Sequence, residues 1–190
     1  MDEGTDRPDR PEAAVDRSGW RREWSRSVGA RGVRAGYDRL RRPDGESRGT
    51  GWVEDRPAVA IVAKYEGQVV FVEEYRPRLR ETVLTCPMGR VEAGESIEAA
   101  GRRELREETG FEAGRVESLG EHYPVAWLRK SRGVVVADDL EPGTQDRDDD
   151  EFVAVRLVPV EDALDRAREG VATGWTLLPL LLAREAGVLG

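Results

Sequence analysis

The stretch GRVEAGESIEAAGRRELREETGF, residues 89–111, decides how this chain folds. A glycine-rich turn leads into a run of strong helix formers, and Ser96 stands where a helix N-cap is expected. Gly110 suits the left-handed position that ends a helix, so the sequence predicts a helix from Ile97 to about Thr109. Acids and an arginine recur at fixed intervals behind the turn. They are Glu95, Arg103, Glu104, Glu107 and Glu108.

Three carboxylates of this helix fall on one face. Glu104 and Glu108 are one turn apart and Glu107 lies between them, so at about 100° per residue the three span about 100° of the circumference. Such crowding is costly unless a cation sits among the oxygens. Mg²⁺ in particular is usually shared between a few carboxylates and substrate phosphates, so the pattern predicts a metal bound to a diphosphate. The alternative, a solvated face of Glu and Arg pairs, leaves the Gly-Glu turn before the helix without a role.

Composition bounds the class of protein. A chain of 190 residues with 38% hydrophobic and 36% charged residues fits one soluble domain with its own core. No apolar run reaches the roughly 18 residues of a membrane span, and the first residues lack a signal pattern. We therefore expect a cytoplasmic protein without membrane contact. The single cysteine, Cys86, excludes an internal disulfide framework and a cysteine-based zinc site.

The charge balance limits which classes of binding partner are expected. The net charge is −8, and the cations are 28 arginines and only two lysines. The arginine content indicates a high-GC genome, and the excess of acid weakly suggests a salt-loving source. An acidic body argues against nucleic acid as the main partner.

The rest of the chain predicts strands and turns, then helices. Residues 1–19 are polar and aperiodic, which predicts a disordered tail. Residues 27–40 and 50–53 flank a Pro-Asp-Gly turn and predict a hairpin, and apolar β-branched runs around residues 65–67 predict a second hairpin. Further strands are predicted at residues 115–122, 133–137 and 152–158, and helices at residues 160–168 and 176–185.

Every fixed position of the Nudix box is filled in residues 89–111, so the chain resembles a Nudix hydrolase. Beyond the box, the Pro-Asp-Gly hairpin, a strand ending Glu-Tyr-Arg, a Pro-x-Gly entry and an acidic loop before Glu-Phe-Val-Ala-Val are similar to the ADP-ribose pyrophosphatase branch. The resemblance covers about residues 28–186. It implies an α+β fold, a Nudix-type α/β/α sandwich around a mixed β-sheet with an N-terminal β-hairpin extension. The expected divisions are a tail at 1–19, a hairpin segment at 20–55 and the Nudix hydrolase domain at 56–190.

The resemblance also implies the activity, a divalent-metal-dependent hydrolysis of the pyrophosphate linkage in nucleoside diphosphate derivatives such as ADP-ribose or nucleotide sugars. Mg²⁺, or Mn²⁺, is the expected cofactor. Glu104 and Glu108 match its carboxylate ligands, Glu107 a further ligand or a base, and the carbonyl of Met88 the backbone ligand. Arg103 matches a structural residue that pairs with a box carboxylate. Glu95 shares that pairing or orders a metal-bound water.

The same branch implies the substrate contacts and the proton acceptor. Arg76, in Glu-Tyr-Arg, matches an arginine that grips the diphosphate, which its forked donors suit. The acceptor of the water proton resembles a glutamate beyond the box, and Glu151 and Asp149 are the candidates in the acidic loop 146–151. The alternative is a solvated acidic loop.

Two departures from the branch bear on the substrate. Residues 85–89 read Thr-Cys-Pro-Met-Gly where the branch has Glu-Leu-Pro-Ala-Gly, and residues 125–127 read Val-Ala-Trp where it has Ser-Pro-Gly. Trp127 either stacks on a base or caps the core, and Arg129 either holds a phosphate or belongs to an exposed basic turn. Two other functions therefore stay open: a Nudix hydrolase of dinucleoside polyphosphates or nucleoside triphosphates, and a non-catalytic nucleotide sensor.

The resemblance finally implies an assembly. In this branch an N-terminal hairpin crosses to a partner subunit and helps to enclose the nucleotide. We therefore expect a homodimer in which residues 27–53 complete the site. The alternative is that this segment only covers its own sheet.

Overall fold

The computed structural model describes residues 19–145 and 153–190, and the chain divides into two compact units. The first unit runs to Asp55 and also includes Trp127–Arg129, and the second comprises Arg56–Ala126 and Lys130–Gly190. The strands are β1 (Arg21–Ala30), β2 (Val33–Arg41), β3 (Ser47–Glu54), β4 (Ala58–Tyr65), β5 (Gln68–Arg76), β6 (Glu81–Thr85), β7 (Met88–Arg90), β8 (Phe111–His122), β9 (Leu128–Arg129), β10 (Arg132–Pro142) and β11 (Val153–Pro159). The helices are α1 (Ile97–Thr109), α2 (Ala163–Arg168), which follows a 3-10 turn at Val160–Asp162, and α3 (Gly174–Glu185).

The first unit is a four-stranded sheet in the order β1-β2-β3-β9. Its first three strands are antiparallel, whereas β9 pairs with β3 in parallel. The predicted hairpin is present as β2 and β3. The prediction of one strand over residues 27–40 was wrong, because Arg31 and Gly32 have φ values of 51° and 84°. Two successive left-handed residues form the tight turn of a hairpin, so β1 and β2 are separate strands.

The second unit is built on a seven-stranded mixed sheet. Its main order is β11-β5-β4-β10-β8, with β6 added to β5 and β7 added to β4. The β4–β10 pair is parallel and its neighbours are antiparallel. The predicted hairpin around residues 65–67 joins β4 to β5, and Glu66 and Gly67 supply the two left-handed residues of its turn.

Helices cover both faces of this sheet. Alternate residues of the central strands point to opposite sides, so Ile61 and Val135 pack with Leu105 of α1, whereas Val62 and Val136 belong to the cluster that includes α2 and α3. All four strand side chains are almost fully buried. The unit is therefore the α/β/α sandwich that the family resemblance implied.

Helix α1 has the predicted bounds, and local chemistry explains both ends. The Ser96 hydroxyl accepts from the Ala99 amide at 3.1 Å, and Gly110 takes the left-handed conformation while its amide bonds to the Arg106 carbonyl. Across the two described ranges, no helix is long and apolar enough to cross a membrane.

Candidate active site

A network centred on Arg103 occupies the polar face of α1. Its guanidinium donates to Glu104 at 2.8 Å and to Glu107 at 3.0 Å, and it reaches back to both carboxylate oxygens of Glu95 at 3.0 and 3.1 Å. A fifth bond, at 2.8 Å, goes to the backbone carbonyl of Arg90 in β7. One arginine thus ties the box helix, the turn before it and the strand that enters the box.

The network is half-buried and ionic. Arg103 keeps 24% of its side chain exposed, Glu95 17% and Glu104 14%. The hydrogen bonds from Arg103 lower the pKa of Glu95, against the opposing effect of burial. The bond to Glu95, followed by those to Glu104 and Glu107, raises the pKa of Arg103.

Glu108 is the most enclosed of the box acids. It is 8% exposed, and its Oε2 accepts from the backbone amide of Met88 at 3.0 Å. The next residue, Gly89, leaves room for Glu104, because a Cβ at Gly89 would stand 1.8 Å from the carboxyl carbon of Glu104. The Met88–Gly89 backbone therefore lies directly against two of the box carboxylates.

The C-terminus of α1 is held by a contact that the sequence reasoning missed. The Gln145 side-chain amide donates to the Glu108 carbonyl at 2.9 Å, and the Gly143 amide donates to the Gly110 carbonyl at 2.8 Å. The chain leading to the acidic loop is thus fastened to the end of the box helix. A lone glutamine 37 residues beyond its partner gives no local signal in the sequence.

The donor set fits a hard divalent cation. The carboxylates of Glu104, Glu107 and Glu108 and the backbone carbonyl of Met88 are oxygen donors of the kind that such cations take, and Gly89 leaves the space that brings Glu104 to this backbone. Among residues 19–145 and 153–190, no group of three or more His, Cys, Asp or Glu side chains has the geometry of a metal site. The Arg103 guanidinium holds oxygens of Glu104 and Glu107.

The predicted substrate-binding residues have other contacts. Arg76 lies at the end of β5 and pairs with Glu74 of the same strand at 2.8 Å, with 36% of its side chain exposed. Trp127 is 57% exposed, and its carbonyl accepts from Val53. Arg129 donates to Asp38 at 2.6 Å. The last two residues belong to the first unit, whereas the box acids belong to the second.

Asp38 explains the position of Arg129. Burial of Asp38 opposes ionisation, but hydrogen bonds from Ser25, Trp52 and Arg129 leave its pKa lowered. The Arg129 guanidinium also lies 4.1 Å from the centre of the Trp52 ring. Arg129 thus neutralises a carboxylate that is 2% exposed, a contact that its place in a basic turn did not suggest.

The candidate proton acceptors Asp149 and Glu151 lie outside the described residues. In the entry to the box, Cys86 is fully buried, and burial raises the pKa of its thiol to about 12. Thr85 is 1% exposed, and its hydroxyl accepts from Thr176 of α3 at 3.1 Å. Where the branch has glutamate, this chain therefore has a packed hydroxyl pair.

The fold and the box are those of a known family of hydrolases. The NUDIX domain family model matches residues 54–181. The chain belongs to the Nudix family.

Individual relatives agree with this assignment. The ADP-ribose pyrophosphatase of Bacillus subtilis (strain 168) is 34% identical over 126 residues, which cover 64% of this chain and 68% of that protein. The ADP compounds hydrolase NudE of Escherichia coli (strain K12) is 29% identical over 135 residues, 70% of this chain and 67% of that protein. The methanol dehydrogenase activator of Bacillus methanolicus is 29% identical over 145 residues, 72% and 76% of the two chains.

A solved structure supports the fold. The crystal structure of an ADP compounds hydrolase superposes with a TM-score of 0.77 at 24% identity, covering 88% of this chain and 93% of that chain.

Proposed function

We propose that this protein hydrolyses the pyrophosphate linkage of nucleoside diphosphate derivatives, with ADP-ribose or a nucleotide sugar as substrate and Mg²⁺ or Mn²⁺ as cofactor. The observation that carries the proposal is the arrangement of the box acids, three of which pair with Arg103 while the fourth, Glu108, accepts from the Met88 amide. All four acids of the box are present, and the contacts join them to the turn and strand at the entry. A sensor that only binds nucleotide has no need to keep every one of these carboxylates.

In this mechanism the box acids would hold the cation beside the reacting water. Glu104, Glu108 and the Met88 carbonyl are its proposed ligands, and Glu107 is a further ligand or accepts a proton at a carboxylate oxygen. The bound cation supplies positive charge to the diphosphate and acidifies water. Arg103 and Glu95 keep the carboxylates in place, which leaves the protein chiefly a positioning task.

The diphosphate and the proton acceptor involve residues outside the box. Arg76 is the proposed diphosphate contact. Its guanidinium is more than one-third exposed and turns from Glu74 to phosphate without a large desolvation cost. Trp127, being exposed, is proposed to stack on the base of the nucleotide. Glu151 and Asp149 remain the proposed acceptors of the water proton.

The Asp38 contact limits the phosphate-binding role proposed for Arg129. The Nη2 donor of Arg129 already pairs with the buried Asp38, and turning it to a phosphate would remove the cation that compensates this carboxylate. We therefore assign Arg129 to phosphate binding only in an arrangement where it keeps the Asp38 pair, which its five donors allow.

A substrate screen tests the proposal. Purified protein is incubated with ADP-ribose, nucleotide sugars, dinucleoside polyphosphates and nucleoside triphosphates in Mg²⁺ or Mn²⁺, and released phosphomonoester is measured. Turnover of ADP-ribose or a nucleotide sugar is the expected result. Preference for a polyphosphate would replace the substrate class, and tight binding without any turnover would establish the sensor function instead.

The proposal includes a homodimer in the cytoplasm. The edge strand β1 carries Val28 at 78% exposure and Trp24 at 46%, and Tyr37 of β2 is 48% exposed. Exposed apolar groups on an edge strand favour association with a second copy of the chain. The single buried thiol, Cys86, is compatible with a reducing compartment.

A further inference from the structure

Arg132, the first residue of β10, joins two parts of the second unit that are far apart in sequence. The sequence places it in a basic turn with Arg129 and Lys130, where an exposed side chain is the simplest expectation. The structure instead makes Arg132 half-buried. Its register partners are Ala58 in β4 and His122 in β8, so its backbone is fixed by pairing on both sides.

The Arg132 guanidinium lies between an aromatic ring and a thioether. The Cζ atom of Arg132 lies 4.7 Å from the centre of the Trp175 ring, and its Nη1 atom lies 3.9 Å from the sulfur of Met88. A planar guanidinium stacks well on an indole, and the attraction grows when both groups are partly removed from water. The thioether is a weak acceptor but a polarisable neighbour.

Trp175 is itself held in place by its neighbour in the first turn of α3. Thr176 is fully buried, and its hydroxyl donates to the Thr85 hydroxyl at 3.1 Å. The Thr173 hydroxyl oxygen also lies 3.1 Å from the Thr176 hydroxyl oxygen. The residue next to Trp175 is thus locked to the end of β6. The ring that carries Arg132 therefore has a fixed support.

Met88 connects this support to the box. Its backbone amide donates to Glu108, and the following glycine lies against Glu104. The contact path runs from Trp175 through Arg132 and Met88 to Glu108. The Met88 thioether and the amide that meets Glu108 belong to one residue, so a restraint on this side chain acts on the segment of β7 that faces both carboxylates.

We propose that Arg132 is a positioning residue of the reaction. By clamping Met88 against Trp175, it fixes the backbone segment that meets the box carboxylates and so sets the geometry of the cation site. The inference rests on the proposed function, since it assigns Arg132 to the reaction proposed for that site. It also gives a role to two positions where the chain departs from the branch, because Thr85 and Met88 both take part in this clamp.

The test compares Arg132→Met with the parent, with Arg132→Lys and with a matched control, Arg115→Met. Arg115, in β8, pairs with Asp138 of β10. Asp138 is six residues along this strand from Arg132, or about 20 Å. Mn²⁺ affinity is measured by titration calorimetry in the absence of substrate, and kcat and KM are measured with ADP-ribose. Circular dichroism checks that each variant is folded.

Loss of a partner that orients metal ligands lowers metal affinity or activity by about 10–100-fold. We expect Arg132→Met to weaken Mn²⁺ binding and to lower kcat by about this factor while KM changes by less than about threefold, and Arg132→Lys to lose less. Arg115→Met should match the parent. If Arg132→Met binds Mn²⁺ as tightly as Arg115→Met does, or if only KM rises, the positioning role is refuted.

Trp175 supplies a second test if Arg132→Met does not fold. Trp175→Phe keeps a ring and should resemble the parent, whereas Trp175→Ala should show the same loss of Mn²⁺ affinity as expected for Arg132→Met. Where Arg132→Met does fold, the two losses should not add in the double variant, because both substitutions remove the same clamp. Additive losses, or an unchanged Mn²⁺ affinity in Trp175→Ala, contradict the proposal. A parent that turns over no diphosphate refutes the proposed function, while the Mn²⁺ affinities still decide the clamp.

Discussion

Arg103 sets the resting arrangement of the box, because its guanidinium pairs with three acids at once. These contacts offset the repulsion that Glu104 and Glu107 would otherwise exert on each other. Glu108 differs from them, since it is enclosed and accepts a hydrogen bond from the amide of Met88. The acids of one box thus have unequal roles, and single substitutions separate them.

The first prediction concerns the proposed cation ligands. Glu108→Gln keeps the size of the side chain and an oxygen that accepts from Met88, but it removes a negative ligand. We expect kcat to fall by about two orders of magnitude or more, without loss of thermal stability in metal-free protein. Glu98→Gln, in the first turn of the same helix, is the control and should keep activity. Equal rates in Glu108→Gln and the parent would refute the ligand assignment, and the same test applies to Glu104→Gln.

Gly89 carries the second prediction. A Cβ there would overlap the Glu104 carboxylate, so Gly89→Ala must displace either that carboxylate or the Met88–Gly89 backbone. We expect a loss of about 100-fold or more in kcat, since a shift of about 1 Å at a reacting centre has costs of this size. Gly174→Ala, where nothing lies within 4 Å of the new methyl group, is the matched control. Activity near the parent level in Gly89→Ala would contradict the close approach.

The third prediction follows from the pKa of Glu95, which the Arg103 hydrogen bonds lower below its ordinary value of 4.5. A carboxyl with a lowered folded-state pKa contributes stability that is fully present above pH 4.5 and is lost as the pH falls through the folded-state pKa. Glu95→Gln should therefore be less stable than the parent by about 1 kcal/mol at pH 7, and the difference should shrink as the solution is acidified below pH 4.5. Urea unfolding across this pH range measures it, and a difference that stays constant would show that the Glu95 charge contributes nothing.

At the scale of elements, the start of α1 decides where the box helix begins. The Ser96 hydroxyl caps the Ala99 amide, and Glu95, next to it, holds the Glu92 amide. Ser96→Ala should cost about 1 kcal/mol of unfolding free energy, the usual value for a lost N-cap, whereas Ser96→Asp should retain it. Thermal unfolding of both variants is the measurement. An Ala variant as stable as the parent would mean that tertiary packing alone holds this end.

Elements with local signals were predictable, and those with non-local causes were not. Helix α1 has the predicted bounds because its cap and its terminal glycine act within a few residues. Strand β1 was missed because its end depends on Arg31 adopting a left-handed conformation, which an arginine seldom does. The Gly32 that follows was the available signal for the turn.

The same division holds for the site. The spacing of the box predicted which acids share a face, since helix geometry alone determines it. The partners of Arg129 and Glu108 were not predictable, because Asp38 lies 91 residues away from the former and Gln145 lies 37 residues from the latter. Arg76, Trp127 and the acidic loop carry roles from resemblance, and these roles stay predictions.

At the scale of the whole molecule, the fifth prediction tests assembly through the first unit. Val28→Glu places a charge on the most exposed apolar residue of β1 and should shift a dimer toward monomer, because burying an unpaired carboxylate is costly. Val171→Glu, a 40% exposed position in the second unit, is the control. Light scattering over a concentration series gives the mass.

Truncation extends this test. Removal of residues 1–19 should leave the dimer intact, whereas removal through Val53 should yield monomers with much weaker substrate binding. A dimer that persists after the longer deletion would refute assembly through this segment.

The membership of Trp127–Arg129 in the first unit limits how the gene can recombine. Because β9 pairs with β3 and Arg129 compensates Asp38, the first unit is encoded by two separate stretches of the gene. A recombination event that exchanges residues 1–55 alone would leave a foreign β3 beside the old β9, and a foreign partner for Arg129. Exchange of this unit by recombination therefore requires a coordinated change at residues 127–129. Chimaeras joined only after Asp55 should fail to fold stably, whereas chimaeras that also carry residues 127–129 should succeed.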